Sequence, residues 1–190
     1  MKLSIILFRH GKIQSKKNIF CGWLNLPLSE EGLRQSKVLA EKLKNEKIDL
    51  AFCSDQLRSQ QALLEVLDYH PKAKVIIDPR LRERHYGSLS GSLKDVFKKK
   101  SRKKFDELHR GYYAVVPSGE NMHNVGKRVF PFMNDLLKLM QKEKCCVAIS
   151  AHTNSLRLIQ EYLEGLFPQE AQKLEHHPEE YKKYMVEFED

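Results

Sequence analysis

The chain has 190 residues, 41% of them hydrophobic and 31% charged, with a formal net charge of +8. It is long enough for one full hydrophobic core and too apolar to be disordered. No apolar run approaches the ~20 residues that cross a bilayer. The excess of 33 basic over 25 acidic residues leaves two kinds of partner open, a polyanion or a small anionic substrate.

In chain order, the first apolar run, Leu3 to Phe8, is six residues long and lacks a small-residue cleavage site. It reads as a strand, not a signal peptide. Ser29 caps a helix over about Glu30–Asn45, with Leu33, Val38, Leu39 and Leu43 on one side. A second strand, Ile48–Cys53, leads to a helix capped by Ser54 and running to about Tyr69. A third strand follows at Lys74–Ile77. Residues 88–117 have weaker periodicity and read as a small covering insertion. A long helix over Glu120–Lys142 contains Pro131, where a bend is expected. A fourth strand, Cys145–Ser150, precedes a helix over Asn154–Leu166, and Tyr184–Phe188 suits a short edge strand. Continuous apolarity suits strands covered on both faces. The alternation predicts a single α/β domain over residues 1–190, three-layer αβα, with a mainly parallel sheet flanked by helices.

Cys21, Cys53, Cys145 and Cys146 form no C-x-x-C pair and read as reduced, mostly buried thiols of a cytoplasmic protein. No His-rich or Asp-rich cluster suggests a metal. The run Lys98-Lys99-Lys100-Ser101-Arg102-Lys103-Lys104 has no interleaved aromatics for base stacking. It reads as a solvated helix face, which argues against a nucleic-acid partner. His176-His177, in a polar stretch, likewise reads as solvated.

Chemistry gathers at the carboxyl ends of the strands. The first strand ends in Arg9-His10-Gly11 and the fourth in Ala151-His152-Thr153-Asn154. After the second, Ser54-Asp55-Gln56-Leu57-Arg58 puts Arg58 in the first turn of a helix. Ligands of open α/β sheets bind at that edge, and helix starts favour anions. Two imidazoles and two guanidiniums on one edge describe a phosphate pocket.

These residues resemble the histidine phosphatase superfamily, which carries an Arg-His-Gly motif and a second histidine late in the chain. The closest resemblance is to its cofactor-dependent phosphoglycerate mutase branch. Phe20-Cys21-Gly22-Trp23 is similar to that branch's F-T-G-W, and Leu28-Ser29-Glu30-Glu31-Gly32 to its L-S-E-x-G. The run Arg80-Leu81-Arg82-Glu83-Arg84-His85-Tyr86-Gly87-Ser88-Leu89-Ser90-Gly91 is similar to R-L-N-E-R-H-Y-G-x-L-x-G. Ala151-His152-Thr153-Asn154-Ser155-Leu156-Arg157 matches A-H-G-N-S-L-R except at Thr153.

The resemblance implies that His10 is the nucleophile that becomes phosphohistidine. It gives Arg9, Arg58 and His152 the transferred phosphoryl group, and Glu83 the acid/base role at the substrate hydroxyl. Tyr86, Lys94, Arg84 and Arg110 would contact substrate, with Cys21, Gly22 and Asn154 touching the ligand nearby. It further implies a small phosphorylated substrate, 2,3-bisphosphoglycerate as phosphoryl primer, no metal and no membrane. The chain departs from the pattern at Lys12 and Ile13, where an acid or Gln and then Ser or Thr are usual, and His109 replaces the first of two adjacent arginines. The loop from His10 to Phe20 is also one residue shorter than the mutases have. Mutase is therefore the first expectation and phosphatase the second. A non-catalytic polyanion-binding protein is a distant third.

Overall fold

The computed structural model describes residues 1–15 and 17–189, without the side chains of His109 and Arg110. Its strands are β1 (Lys2–Arg9), β2 (Leu50–Cys53), β3 (Lys74–Ile77), β4 (Val147–Ala151) and β5 (Tyr181–Glu187). Its helices are α1 (Glu30–Leu43), α2 (Leu57–Leu67), α3 (Lys94–Lys100), α4 (Arg102–Arg110), α5 (Met122–Glu143), α6 (Thr153–Glu164) and α7 (Pro168–Ala171). The strands form one sheet in the order β3-β2-β4-β1-β5. All neighbours are parallel except β5, which returns antiparallel along β1. The expected three-layer α/β architecture is present.

Alternation along the strands divides the core in two. Ile5, Leu7, Leu50, Phe52, Val147 and Ile149 pack with α5 and α6. Ile6, Phe8, Ala51, Cys53 and Ala148 face Leu39, Leu43, Leu63 and Val66 of α1 and α2. β1, β2 and β4 are therefore covered on both faces, which explains their unbroken apolar runs.

Three expectations need correction. All four residues of β3 are exposed, because it is an edge strand and α2 does not reach over it. The second helix starts at Leu57, and its N-cap Gln56 makes no side-chain cap bond. Ser54 is occupied elsewhere, as described below. The last strand is longer than Tyr184–Phe188 because its pairing with β1 starts at Tyr181.

Ser29 caps α1 as expected, and α5 carries a cap the sequence reading did not name. The Ser29 hydroxyl accepts the Gly32 amide at 3.1 Å, and Asn121 and Asn124 close a reciprocal capping box on α5. The basic run forms the end of α3 and the start of α4, with all six of its basic side chains exposed. Among the described residues no helix is long and apolar enough to cross a membrane.

Candidate active site

Parallel pairing of β1 with β4 puts Arg9 beside Ala151, so the next residues, His10 and His152, leave the sheet together. Their ring centroids are 4.9 Å apart, edge to face. β2 ends beside β4, and the Ser54 hydroxyl lies 2.7 Å from His152 Nε2. This contact is where the expected helix cap is used. Gly11 and Gly32 let the loop after β1 press on the first turn of α1. A Cβ at Gly11 would lie 2.3 Å from the Gly32 carbonyl oxygen, and one at Gly32 would lie 2.0 Å from that of Lys12.

The His10 tautomer follows from its partners. Nδ1 is 2.7 Å from the Gly11 carbonyl oxygen, which can only accept, so Nδ1 carries the proton. Nε2 keeps its lone pair and accepts from Arg58 Nε at 3.2 Å. Burial, then the Arg58 and Arg9 charges, hold the His10 pKa well below the usual histidine value. The same causes, burial first, hold His152 low. Both rings are neutral at pH 7.

Arg58 is almost fully buried in the first turn of α2 and is fixed at its other nitrogens. It donates to the carbonyls of Leu24 at 2.8 Å and Gly22 at 2.7 Å. Gly22 adopts a left-handed φ of +49°, which turns its carbonyl towards Arg58 and Gln56. Arg9 donates to the His176 carbonyl at 3.1 Å, while its Nε is buried with no hydrogen-bond partner.

Glu83 is held from several sides. Its carboxylate accepts from the backbone amides of Arg84 at 2.8 Å and Asn154 at 3.2 Å. Its own amide donates to Gln56 Oε1 at 2.9 Å, and its carbonyl accepts from Trp23 Nε1 at 2.7 Å. Arg128, on α5, spends all five N–H groups on this segment. They reach the carbonyls of Arg80, Arg82 and Glu83 and both carboxylate oxygens of Glu120. Glu120 also accepts the His85 amide at 2.9 Å.

A cavity of about 690 Å³ opens over these groups. Arg9, Arg58 and Glu83 line it, as do Cys21, Gly22, Tyr86, Lys94 and Asn154. His10, only 5% exposed, lies between the lining residues Arg9 and Gly11 and touches Arg58; His152 is fully buried beside it. Lys94 stands 5.7 Å from the Phe20 ring centroid, and burial lowers its pKa. Asn154 reaches the Tyr86 hydroxyl at 3.4 Å.

Arg84 does not line the cavity. It is fully buried, 5.3 Å from the Tyr86 ring centroid, and donates to the Glu120 carbonyl. The Arg110 side chain lies outside the described residues. His176 is not the solvated residue the sequence suggests. It lines the cavity with its Nε2 2.5 Å from Gln160 Oε1, and burial pushes its pKa down to about 3.

Sequence reading missed Ser54, Gln56, Glu120, Arg128 and His176 as parts of the site. Gln56 carries a local signal, being two residues before Arg58 at a helix start. Ser54 lies in the same segment and Glu120 only eight residues before Arg128, whereas Arg128 and His176 reach partners far along the chain and carry no such signal. Among the described residues no three His, Cys, Asp or Glu side chains converge to hold a metal ion.

Residues 5–189 match the family model of the histidine phosphatase superfamily (branch 1). A 2,3-bisphosphoglycerate-dependent phosphoglycerate mutase of Mesorhizobium japonicum is 35% identical over 181 residues, 92% of this chain and 88% of that protein. A phosphoglycerate mutase of Schizosaccharomyces pombe is 35% identical over 170 residues, 85% of this chain and 80% of its own. Among solved structures, a mycobacterial glucosyl-3-phosphoglycerate phosphatase superposes with a TM-score of 0.83 at 20% identity, covering 97% of this chain and 91% of the other. An alpha-ribazole phosphatase from Shigella flexneri gives 0.81 at 21% identity, covering 95% and 89%. At that identity the two structures establish the shared fold.

Proposed function

The chain belongs to the histidine phosphatase superfamily and is an enzyme of it, and from that premise we infer that it is a phosphoglycerate mutase. It interconverts 3-phosphoglycerate and 2-phosphoglycerate through a phosphoryl group carried on His10. The supporting observation is the His10 ring itself. It is neutral, its Nδ1 proton is committed to Gly11, and its Nε2 lone pair faces a cavity cation at 3.2 Å.

In the forward step the Nε2 lone pair forms a bond to phosphorus and the ester P–O bond breaks. Its electrons go to the departing oxygen, which takes a proton from Glu83. Arg58 Nε–H releases Nε2 and turns to the phosphoryl oxygens, while Arg9, with an unpartnered buried Nε, meets the same charge. Phosphoryl transfer spreads negative charge over three equatorial oxygens, so positioned cations lower its barrier. In the return step Glu83 recovers its proton from the attacking hydroxyl.

The residues present fit 2,3-bisphosphoglycerate as primer, because Arg9, Arg58 and Lys94 supply cations in one cavity. When bound it supplies the phosphoryl group that loads His10. Relatives at 33–35% identity named as mutases dependent on that compound support this reading over hydrolysis. A phosphatase is the second reading. A cavity of about 690 Å³, far larger than a three-carbon phosphate needs, favours it.

The experiment is incubation with 3-phosphoglycerate, with and without 2,3-bisphosphoglycerate. Isomerisation that depends on the bisphosphate is expected. Release of inorganic phosphate without isomerisation would overturn the mutase in favour of the phosphatase.

A further inference from the structure

Arg9 is tethered by a segment that belongs to no helix or strand. Its guanidinium donates to the His176 carbonyl at 3.1 Å, and among the described residues that is its one hydrogen-bond acceptor. Residues 174–177, between α7 and β5, form the strap that carries this carbonyl. Glu175 and His177 are exposed, so little packing fixes the strap. Two side chains of α6 do so instead. Arg157 Nε donates to the Leu174 carbonyl at 2.9 Å, and Gln160 Oε1 meets His176 Nε2 at 2.5 Å. Residues three apart on a helix share a face, so one face of α6 grips the strap at two points.

The neighbours of Gln160 fix which atoms donate. Its amide nitrogen donates to Glu164 Oε1 at 2.9 Å and to the Tyr184 hydroxyl at 2.6 Å. Both amide hydrogens are thereby spent, and Oε1 is left to face the ring. An amide oxygen only accepts, so His176 Nε2 carries the ring proton and donates it. Gln160 is fully buried, and Tyr184 lies on β5 beside β1, the strand that ends in Arg9. The hydrogen bonds therefore run from β5 through α6 and the strap back to the cation. Burial keeps the ring uncharged, so it braces Arg9 without repelling it.

A guanidinium on a long side chain with one tether is only as well placed as that tether. A displacement of about 1 Å at a reacting centre costs about 100-fold in rate. We propose that His176 and Gln160 are positioning residues for Arg9. The imidazole–amide bond sets the strap, and the strap's carbonyl sets the guanidinium against the phosphoryl group. This rests on the reading that Arg9 meets that group.

A double-mutant cycle on single-turnover phosphorylation of His10 tests it. Both 2,3-bisphosphoglycerate and para-nitrophenyl phosphate serve as donors, so that a mutase and a phosphatase alike report the step. His176→Leu and Gln160→Leu, with circular dichroism confirming the fold, should each slow it by about 10–100-fold, with the half-saturating donor concentration nearly constant. His176→Gln keeps an N–H donor for Gln160 and should recover most of the rate. In an Arg9→Ala background, His176→Leu should cost nothing further, because residues that act through one another are not additive. The hydrogen-bonded Nε2 proton should give a downfield NMR signal that survives Arg9→Ala and disappears with Gln160→Leu. A wild type that takes a phosphoryl group from neither donor, or an Arg9→Ala as fast as the wild type, overturns the role of Arg9 and this proposal with it. A slow Arg9→Ala beside a fast His176→Leu, losses that multiply in the double variant, no recovery with His176→Gln, or a signal that persists in Gln160→Leu overturns the positioning role alone.

Discussion

The role proposed for His10 rests on two contacts with different jobs. The Gly11 carbonyl holds the Nδ1 proton and so fixes which nitrogen is basic, and Arg58 keeps that nitrogen aimed into the cavity. Burial and two guanidiniums disfavour protonation, so the ring keeps near neutral pH the lone pair that the proposed transfer needs. Glu83 is held at one carboxylate oxygen by two backbone amides, and among the described residues its other oxygen accepts no hydrogen bond, which leaves it for the substrate. Glu83→Gln keeps the shape and removes the transferable proton. It should lower kcat by about 10²–10⁴-fold with KM little changed, as steady-state kinetics would read. An unaltered kcat would remove Glu83 from the acid/base role. Arg9, His10, Arg58 and His152 were legible because each follows a strand end or opens a helix. Ser54 and Arg128 were not, since their partners lie 98 and about 45 residues away and only the folded chain brings them together.

At the scale of elements, the site is a meeting of β-strand ends with one braced loop. β1, β2 and β4 deliver His10, Ser54 and His152 by register alone. The Glu83 segment has no strand or α-helix to hold it, and α5 takes that task through Arg128. The planar guanidinium satisfies three carbonyls and a carboxylate at once, a geometry that an ammonium with three donors cannot copy. Arg128→Lys should therefore displace Glu83 while keeping the charge. We expect kcat to fall by up to about 100-fold with KM nearly constant. Equal activity in the two proteins, with only a lower melting temperature, would make Arg128 a structural residue and not a positioning one. Periodicity revealed most elements but misjudged β3, because an apolar run reads the same whether two layers cover it or neither does. It also missed the start of β5, whose Tyr181, Lys182 and Lys183 look polar and pair with β1 all the same.

Across the whole molecule, three histidines share one condition. Burial, the leading cause in each case, holds His10, His152 and His176 below the ordinary value, His176 at about 3. In the unfolded chain all three titrate near 6.5, so below that pH the unfolded state binds more protons than the folded one. Stability must then fall as pH drops below about 6.5 towards 4, by about 1.4 kcal/mol per pH unit for His176, with His10 and His152 acting in the same direction. Urea midpoints measured across that range should decline steeply, and a His176→Gln variant should decline less. A flat profile would mean these rings are protonated in the folded protein. The central claim, a phosphoryl group covalently held by His10, is tested most directly by intact-mass spectrometry after treatment with 2,3-bisphosphoglycerate. The account predicts one phosphoryl adduct, lost in acid and absent from His10→Ala. An adduct that persists in His10→Ala, or a wild type that takes up none, would contradict it.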